Sequence, residues 1–186
     1  TLFVVAFGVK AALFPLFFWL PASYHTPPAA VAAAFGGLLT KVGVYALIRT
    51  FSLVFTREPE VTHGLLVVAS ALTMLAGALG AIAQTDLRRA LAFLHVGQVG
   101  YMTMALGFAG LAGSREGAVA ALAAAVFFIP PHMCAITNLF FSAGAVHRLR
   151  GTSDVRELGS LYRTRPGLAV LFLVYSALTG LTLSLL

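Results

Sequence analysis

Charged residues are scarce in this sequence: of 186 residues only 10% are charged, whereas 60% are hydrophobic. The mean hydropathy of +0.95 is well above what a soluble domain of this size needs to fill its core. The composition excludes an ordinary soluble domain and is typical of a membrane protein. Because a spanning helix takes about 20 apolar residues, the length leaves room for roughly five or six spans.

Cysteine is almost absent as well. Cys134, the single cysteine, lies within an apolar run, which excludes a disulfide or a thiolate metal cluster within this chain. Histidines and carboxylates nowhere have the spacing of metal ligands, and Walker loops, dinucleotide-binding motifs and nucleophile elbows are missing. We therefore expect no metal and no cofactor.

The sequence also lacks the basic region and cleavage site of a signal peptide at its start. Apolar residues reach both ends of the chain, and we interpret it as a piece of a longer polytopic protein. The net charge of +6 does not indicate a nucleic-acid partner, because the arginines fall in short links between apolar runs. Membrane orientation explains them better.

Five polar breaks divide the chain into six candidate spans. Strand-like alternation is missing, and a backbone in lipid must satisfy its own hydrogen bonds, so we predict an all-α polytopic transmembrane bundle. Prolines inside the first and fifth spans predict interrupted helices, the Pro130–Pro131 pair more strongly than Pro15. The predicted spans are roughly residues 1–20, 29–55, 64–83, 88–111, 117–147 and 166–186.

Arginines in alternate links predict the orientation of the bundle. Seven of the ten fall on one side, which by the positive-inside rule faces the cytoplasm together with link 21–28. These seven are Arg88, Arg89, Arg148, Arg150, Arg156, Arg163 and Arg165; the other side has Arg49, Arg57 and Arg115.

The two lysines, unlike the arginines, lie well inside apolar runs. Lys10 precedes Pro21 by 11 residues and Lys41 follows Pro28 by 13, which places them about 17 and 20 Å from the same surface. A charge at this depth costs about 2.5–3.5 kcal/mol, and snorkelling to an interface is the competing explanation. Loss of hydration and a nearby like charge favour the neutral amine. We therefore predict that Lys10 and Lys41 face one another in one interior pocket and relay protons.

Two histidines are further candidates for the relay. His132 follows Pro131 near the middle of the fifth span, and His95 lies one to two turns inside the fourth. Imidazole exchanges protons near neutral pH, although an intramembrane histidine also serves simply as a hydrogen-bonding partner between helices. His25, His63 and His147 lie in links, where we expect them to be solvated.

Residues 7–49, "FGVKAALFPLFFWLPASYHTPPAAVAAAFGGLLTKVGVYALIR", closely resemble the antiporter-like subunit designated D in the Mrp-type multisubunit cation/proton antiporters. They are more distantly similar to the antiporter-like subunits of respiratory complex I. The shared features are a lysine, a Phe-Pro pair, "WLP", a proline-rich turn and a second lysine in fixed order. Residues 86–102, "DLRRALAFLHVGQVGYM", and 143–161, "AGAVHRLRGTSDVRELGSL", extend the resemblance over nearly the whole chain.

The resemblance implies a subunit that conducts protons in a multisubunit Na⁺ or other monovalent cation/proton antiporter of the cell membrane. Lys10 and Lys41 correspond to the paired lysines of the family's proton path, and the first and last spans to its discontinuous helices. The acidic partner of the first lysine would lie upstream of this sequence. The implied partners are other membrane subunits, protons, monovalent cations and the lipid bilayer; the implied protein is a transporter and not an enzyme.

The sequence departs from the family in the fifth span. His, His and Lys often occur there at four-residue spacing, whereas this chain has Phe128, His132 and Ile136, and the last span lacks the usual "GIPP". Two alternatives therefore stay open. One is a redox-driven pump module like that of complex I, and the other is a scaffold that packs beside conducting subunits without conducting protons itself.

Overall fold

The computed structural model describes residues 2–54, 59–158, 163 and 165–184. Its helices are α1 (Leu2–Ala11), α2 (Trp19–Tyr24), α3 (Ala29–Ala34), α4 (Thr40–Leu53), α5 (Pro59–Ile82), α6 (Leu87–Leu111), α7 (Arg115–Arg150) and α8 (Pro166–Ser184). A π-helical segment, Phe35–Leu39, joins α3 to α4. The predicted all-α transmembrane fold is confirmed; within the described ranges the strand-like pairing is an isolated bridge between Asp86 and Asp154.

Four helical stretches are long and apolar enough to cross a membrane: Ala29–Leu53, Glu60–Ile82, Leu87–Leu111 and Arg115–Arg150. The first of these contains α3, the π segment and α4 as one continuous rod. Shorter apolar helices form the beginning and the end of the described chain. The total of six membrane crossings stays a prediction.

The first predicted span is interrupted between α1 and α2. α1 ends at Ala11, and Ala12 adopts a positive φ of 66°. Other parts of the chain satisfy the polar groups near the break: the Phe14 N–H donates to Thr73 Oγ1 of α5 (2.8 Å), and the Trp19 indole N–H donates to the Val9 carbonyl (2.8 Å). Irregular backbone at this depth is therefore compensated by protein, as the bilayer requires.

The prediction that Pro130 and Pro131 break the fifth span is wrong. α7 runs without interruption from Arg115 to Arg150 and contains both prolines. Its ends are well defined, because Ser114 accepts a hydrogen bond from the Gly117 N–H and Gly151 closes the C-terminus at φ 73°. The interruption of the last predicted span is not observed either, since α8 is continuous over Pro166–Ser184.

Helices α5 and α6 form a closely packed pair that depends on glycine. A Cβ atom on Gly77 would overlap the backbone N and Cα of Gly97, and one on Gly100 would lie 2.9 Å from the Ser70 carbonyl oxygen. At this contact Ser70 Oγ donates to Thr103 Oγ1 (2.7 Å). Small residues that bring two backbones together, with a hydroxyl bond across them, are typical of helix pairs in membranes.

Two apolar clusters fill the interior at different depths. The first apolar cluster is built from α1, α4, α5, the second half of α6 and the first half of α7, and the second from α2, α3, the first half of α6 and the second half of α7. Members of the first include Val44, Leu47, Phe51, Val99, Leu106, Ala125 and Phe128. Members of the second include Leu20, Tyr24, Ala33, Leu91, Val96, Ile136 and Phe140.

Three of the predicted links meet at one end of the bundle. The Leu87 N–H donates to the Ser153 carbonyl (2.9 Å) and the Val155 N–H donates to the Thr85 carbonyl (2.8 Å). Arg89 of the same region contacts the imidazole of His25. The placement of links 21–28, 84–89 and 147–158 on one side is thus observed. Arg57, which we predict on the opposite side, lies outside the described residues.

Replacing Gly77 by alanine tests the close packing of α5 and α6. The new methyl group collides with the backbone of Gly97, which a side-chain rotation does not relieve. We expect Gly77→Ala to lower the stability of the parent complex by about 1–3 kcal/mol, measured as a lower midpoint of thermal unfolding. Gly64→Ala is the matched control on the same helix, because nothing lies within 4 Å of its Cβ position. Equal midpoints for the two variants would contradict the packing.

Candidate functional site

Three of the four predicted site residues come together at the level where the two apolar clusters meet. Lys41 of α4 is 5% exposed, His95 of α6 is fully buried and His132 of α7 is 1% exposed. On α7, Phe128 of the first apolar cluster and Ile136 of the second lie one turn before and one turn after His132. We call Lys41, Thr40, His95 and His132 the buried polar group.

The π-helical segment Phe35–Leu39 positions Lys41. Its wider turn changes the hydrogen-bonding pattern of the backbone, and π turns inside α-helices occur frequently at functional sites. The Lys41 amine donates to the Gly36 carbonyl oxygen of this segment at 2.5 Å. The side chain therefore points back along its own helix into the interior and does not extend to an interface.

Two glycines of the π segment let α7 approach closely. A Cβ atom on Gly36 would lie 3.0 Å from the Phe140 ring, and one on Gly37 would collide with Thr137 Oγ1. The Thr137 hydroxyl also donates to the Ala33 carbonyl (3.4 Å). The Gly-Gly pair thus brings the backbone that holds Lys41 against the helix that carries His132.

His95 connects α4 to α7. Its Nε2 lies 2.9 Å from Thr40 Oγ1, and its Nδ1 lies 3.1 Å from His132 Nε2. Lys41, the residue next to Thr40 on α4, is buried as well. Thr40, His95 and His132 consequently form a continuous hydrogen-bonded chain beside a buried amine.

This chain has two tautomeric arrangements. In one, the Thr40 hydroxyl donates to His95 Nε2, and the Nδ1–H of His95 donates to His132 Nε2. In the other, His132 Nε2–H donates to His95 Nδ1, and His95 Nε2–H donates to the Thr40 oxygen. The second arrangement becomes the first when one proton enters at His132 Nδ1, each hydrogen-bonded proton moves to its acceptor, and the Thr40 hydroxyl releases one proton at the other end; no heavy atom has to move.

Aromatic rings enclose the two histidines. The His95 and His132 rings are nearly parallel, at 7°, with centroids 5.2 Å apart. Phe128 lies over His132 at 5.7 Å, and Tyr24 lies over His95 at 6.1 Å. Tyr24 also donates its hydroxyl to the Phe35 carbonyl at the start of the π segment (3.0 Å). These contacts fix the planes of the imidazoles.

Two polar atoms near the buried group have no partner within the described part of the chain. They are His132 Nδ1 and the amide oxygen of Gln98, one turn after His95. A buried polar atom left unpaired costs free energy, so its position in a native structure calls for an explanation. His132 Nδ1 is the nitrogen opposite the one that contacts His95, and it marks where the hydrogen-bonded chain ends on α7.

Lys10 does not join the buried polar group. Its side chain is exposed on α1, although its backbone closely approaches that of α4, where a Cβ atom on Gly43 would lie 2.8 Å from the Lys10 carbonyl carbon. The structure therefore brings the two helices together but does not place both ammonium groups in one buried pocket. The expected like-charge pair of Lys10 and Lys41 is not observed.

Sequence reasoning missed three contributors to this site. Thr40 was not singled out beside Lys41. Tyr24 was assigned to a proline-rich link, and Gly36 to the small residues that are common in membrane helices. The adjacency of Thr40 and Lys41 within an apolar run was a usable signal. The sequence contains no comparable signal for the contacts among α2, α4 and α6. Within the described ranges, no group of three or more His, Cys, Asp and Glu residues is placed to hold a metal ion.

A bundle of apolar helices with a lysine and two hydrogen-bonded histidines buried at its middle defines a multi-pass membrane protein with a candidate proton path. Residues 1–184 match the family described as "NADH:quinone oxidoreductase/Mrp antiporter, TM". The chain belongs to this family, which confirms the resemblance seen in the sequence.

Comparisons with known proteins agree with the assignment. The chain is 46% identical over 173 residues to the subunit designated D of the Na(+)/H(+) antiporter of Alkalihalophilus pseudofirmus, covering 93% of this chain and 34% of that protein. Its fold is similar to a chain of the Mrp complex from Dietzia sp. DQ12-45-1b, with a TM-score of 0.77 and 31% identity over 92% of this chain and 30% of the other.

A second structural likeness is to a chain of respiratory complex I from Thermus thermophilus. Here the TM-score is 0.79 and the identity 30%, over 93% of this chain and 36% of the other. The chain thus spans about a third of the length of the proteins that it matches.

Replacing Thr40 by valine tests the hydrogen bond that joins α4 to α6. Valine keeps the shape of threonine but leaves His95 Nε2 without its partner. We expect Thr40→Val to destabilise the parent complex by about 1–3 kcal/mol, read from thermal unfolding. Thr50→Val is the matched control on α4, since the Thr50 hydroxyl bonds only back to the Ala46 carbonyl of its own helix. If Thr50→Val were as destabilising as Thr40→Val, the Thr40–His95 bond would have no special importance.

Proposed function

We propose that this chain is part of a proton-conducting subunit of a multisubunit cation/proton antiporter, in which Lys41, His95 and His132 relay protons. The observation that supports the proposal most directly is that the amine of Lys41 is buried together with two imidazoles, whose facing nitrogens, His95 Nδ1 and His132 Nε2, lie 3.1 Å apart. A structural role alone does not require three titratable groups on three helices at one depth. Ionisable residues inside a membrane segment mark proton paths more often than packing.

Each member of the relay has a distinct role in the proposal. The Lys41 amine takes up and releases the proton, and the Gly36 carbonyl stabilises its charged form. His95 passes the proton between α4 and α7 through its two ring nitrogens, with Thr40 holding the tautomer. His132 carries it onward from α7. Lys10 is proposed to exchange protons with this group from the surface of α1, next to Gly43.

The membrane potential supplies energy on the required scale. Moving one charge across a potential of 100 mV is worth about 2.3 kcal/mol, which is comparable to the cost of holding a charged lysine at this depth. Cation movement through the parent complex can therefore be coupled to the protonation state of Lys41. The partners that we propose are the other membrane subunits of that complex, protons, and Na⁺ or another monovalent cation, with transport rather than catalysis as the activity.

A redox-driven proton pump is the second candidate, and the likeness to the complex I chain favours it. The relative with 46% identity favours the antiporter. Identification of the subunits that co-purify with the full-length protein decides between the two. A co-purified flavin and iron–sulfur arm would overturn the antiporter, whereas other small membrane subunits without such an arm support it.

Replacing Lys41 by methionine removes the amine and keeps an unbranched apolar side chain of similar length. We expect Lys41→Met to lower cation-driven proton flux in vesicles containing the parent complex by at least roughly tenfold. Arg49→Gln is the matched control, because Arg49 lies exposed on the same helix and its loss leaves the buried polar group intact. Flux in Lys41→Met equal to that of the unmodified complex would remove Lys41 from the relay.

Replacing His132 by phenylalanine separates proton transfer from packing. The new ring retains the contacts with His95 and Phe128 but has no nitrogen to carry a proton. Because His95 Nδ1 loses its partner, we expect the complex to assemble with a loss of stability of about 1–3 kcal/mol, like that of Thr40→Val. Proton flux is expected to fall by roughly tenfold or more, and further than in Thr40→Val. His147→Phe, at an exposed position of the same helix, serves as control. Normal flux in the His132 variant would show that this histidine only fills space.

A further inference from the structure

A cavity of about 320 Å³ lies at the end of the bundle where three links meet, and none of the buried polar group lines it. It is bounded by α2, the link after it, the link after α5 and the first turns of α6. The lining includes apolar residues and hydrogen-bond donors. The lining residues are Pro21, Ala22, His25, Gln84, Arg89 and Phe93.

Arg89 is held at this cavity by a histidine and not by a carboxylate. Its guanidinium donates to His25 Nε2 (3.0 Å), and the opposite nitrogen of the same imidazole donates to the Pro21 carbonyl (2.9 Å). His25 is therefore neutral in this arrangement and adds no negative charge. Asp86 accepts a hydrogen bond from the backbone N–H of Arg89 (2.9 Å), which caps α6 and leaves the guanidinium free of an ion pair within the described ranges.

Arg88 adds a second cation that is only partly satisfied. Its Nη1 donates to the Pro27 carbonyl at 3.3 Å and reaches the His25 carbonyl at 3.5 Å. Its Nε is buried and has no partner among the described residues. Two adjacent guanidinium groups thus contact neutral acceptors only, although guanidinium pairs best with carboxylate or phosphate oxygens.

Asp86 places one carboxylate at this end of α6, but it bonds to the Arg89 backbone N–H, and the printed bonds of the two guanidinium groups go to neutral acceptors. Both lie in the first turn of α6, where the helix dipole disfavours cations. An anion bound at the cavity offsets both the dipole and the mutual repulsion of the guanidinium groups. The cavity lies where apolar helices meet a polar link, so a ligand with a phosphate and an apolar tail matches both of its walls.

We propose that this cavity binds the phosphate of an anionic phospholipid, with Arg89 as donor to the phosphate, Arg88 beside the cavity adding positive charge, and Pro21 and Phe93 against the adjoining lipid chain. The site is separate from the proposed proton relay and does not depend on it. A lipid bound in this cavity contacts the link between α2 and α3, which contains His25.

The test uses the full parent complex purified from membranes and reconstituted into nanodiscs of phosphatidylcholine with added phosphatidylglycerol. Mass spectrometry of the washed complex measures how much phosphatidylglycerol it retains. We expect Arg89→Gln to weaken retention roughly fivefold and Arg88→Gln with Arg89→Gln to weaken it by more than tenfold. The single variant keeps the test informative if loss of the Arg88 contacts impairs folding.

Arg156→Gln is the matched control, because Arg156 is exposed at the same end of the bundle and does not line the cavity. It is expected to retain phosphatidylglycerol like the unmodified complex. Equal losses in Arg156→Gln and Arg89→Gln would overturn the site in favour of general surface attraction. Unchanged retention in Arg89→Gln, together with Arg89-dependent binding of inorganic phosphate, would also overturn it, because the ligand would then be a free anion.

Discussion

The hydrogen bond from the Lys41 amine to the Gly36 carbonyl is the interaction on which the interior of this chain depends. A buried amine needs an acceptor close by, since apolar surroundings offer none. The π segment supplies this acceptor from the same helix. Without that turn, the Lys41 side chain would lack a backbone partner, and the packing of α7 against the Gly-Gly pair would change as well. The same five residues, Phe35–Leu39, thus provide the acceptor for Lys41 and allow α7 to pack closely.

The apolar clusters on either side place the buried polar group in apolar surroundings. His132 has Phe128 one turn before it and Ile136 one turn after it, both buried, so apolar side chains enclose this histidine along α7. Hydrogen bonds strengthen in such surroundings, and an unpaired group becomes more costly. Each member of the group therefore depends on the others as hydrogen-bond partners. This explains why Thr40, His95 and His132 align although they belong to three helices.

Much of this architecture was predictable from local sequence, and the remainder depends on contacts between helices. Hydropathy located the apolar helices, and the depth of Lys41 within its run anticipated its burial. The position of Lys10 in an equally apolar run predicted the same, yet its side chain is exposed, because counting residues gives depth and not the face of a helix. The Pro130–Pro131 pair misled for a related reason: a proline weakens a helix locally, while packing on both sides keeps α7 continuous. The His95–His132 contact required knowing how α6 and α7 rotate against each other.

The same packing limits how the proposed relay continues beyond His132. Along α7, the buried apolar side chains of Phe128 and Ile136 lie one turn before and one turn after this histidine. The unpaired nitrogen at the end of the hydrogen-bonded chain is Nδ1 of His132, on the ring edge away from His95. In the relay that we propose, His132 passes the proton on through this nitrogen and not along α7. The hydrogen-bonded chain from Thr40 through His95 to His132 joins three helices at one level of the bundle, so the proposed transfer crosses between helices.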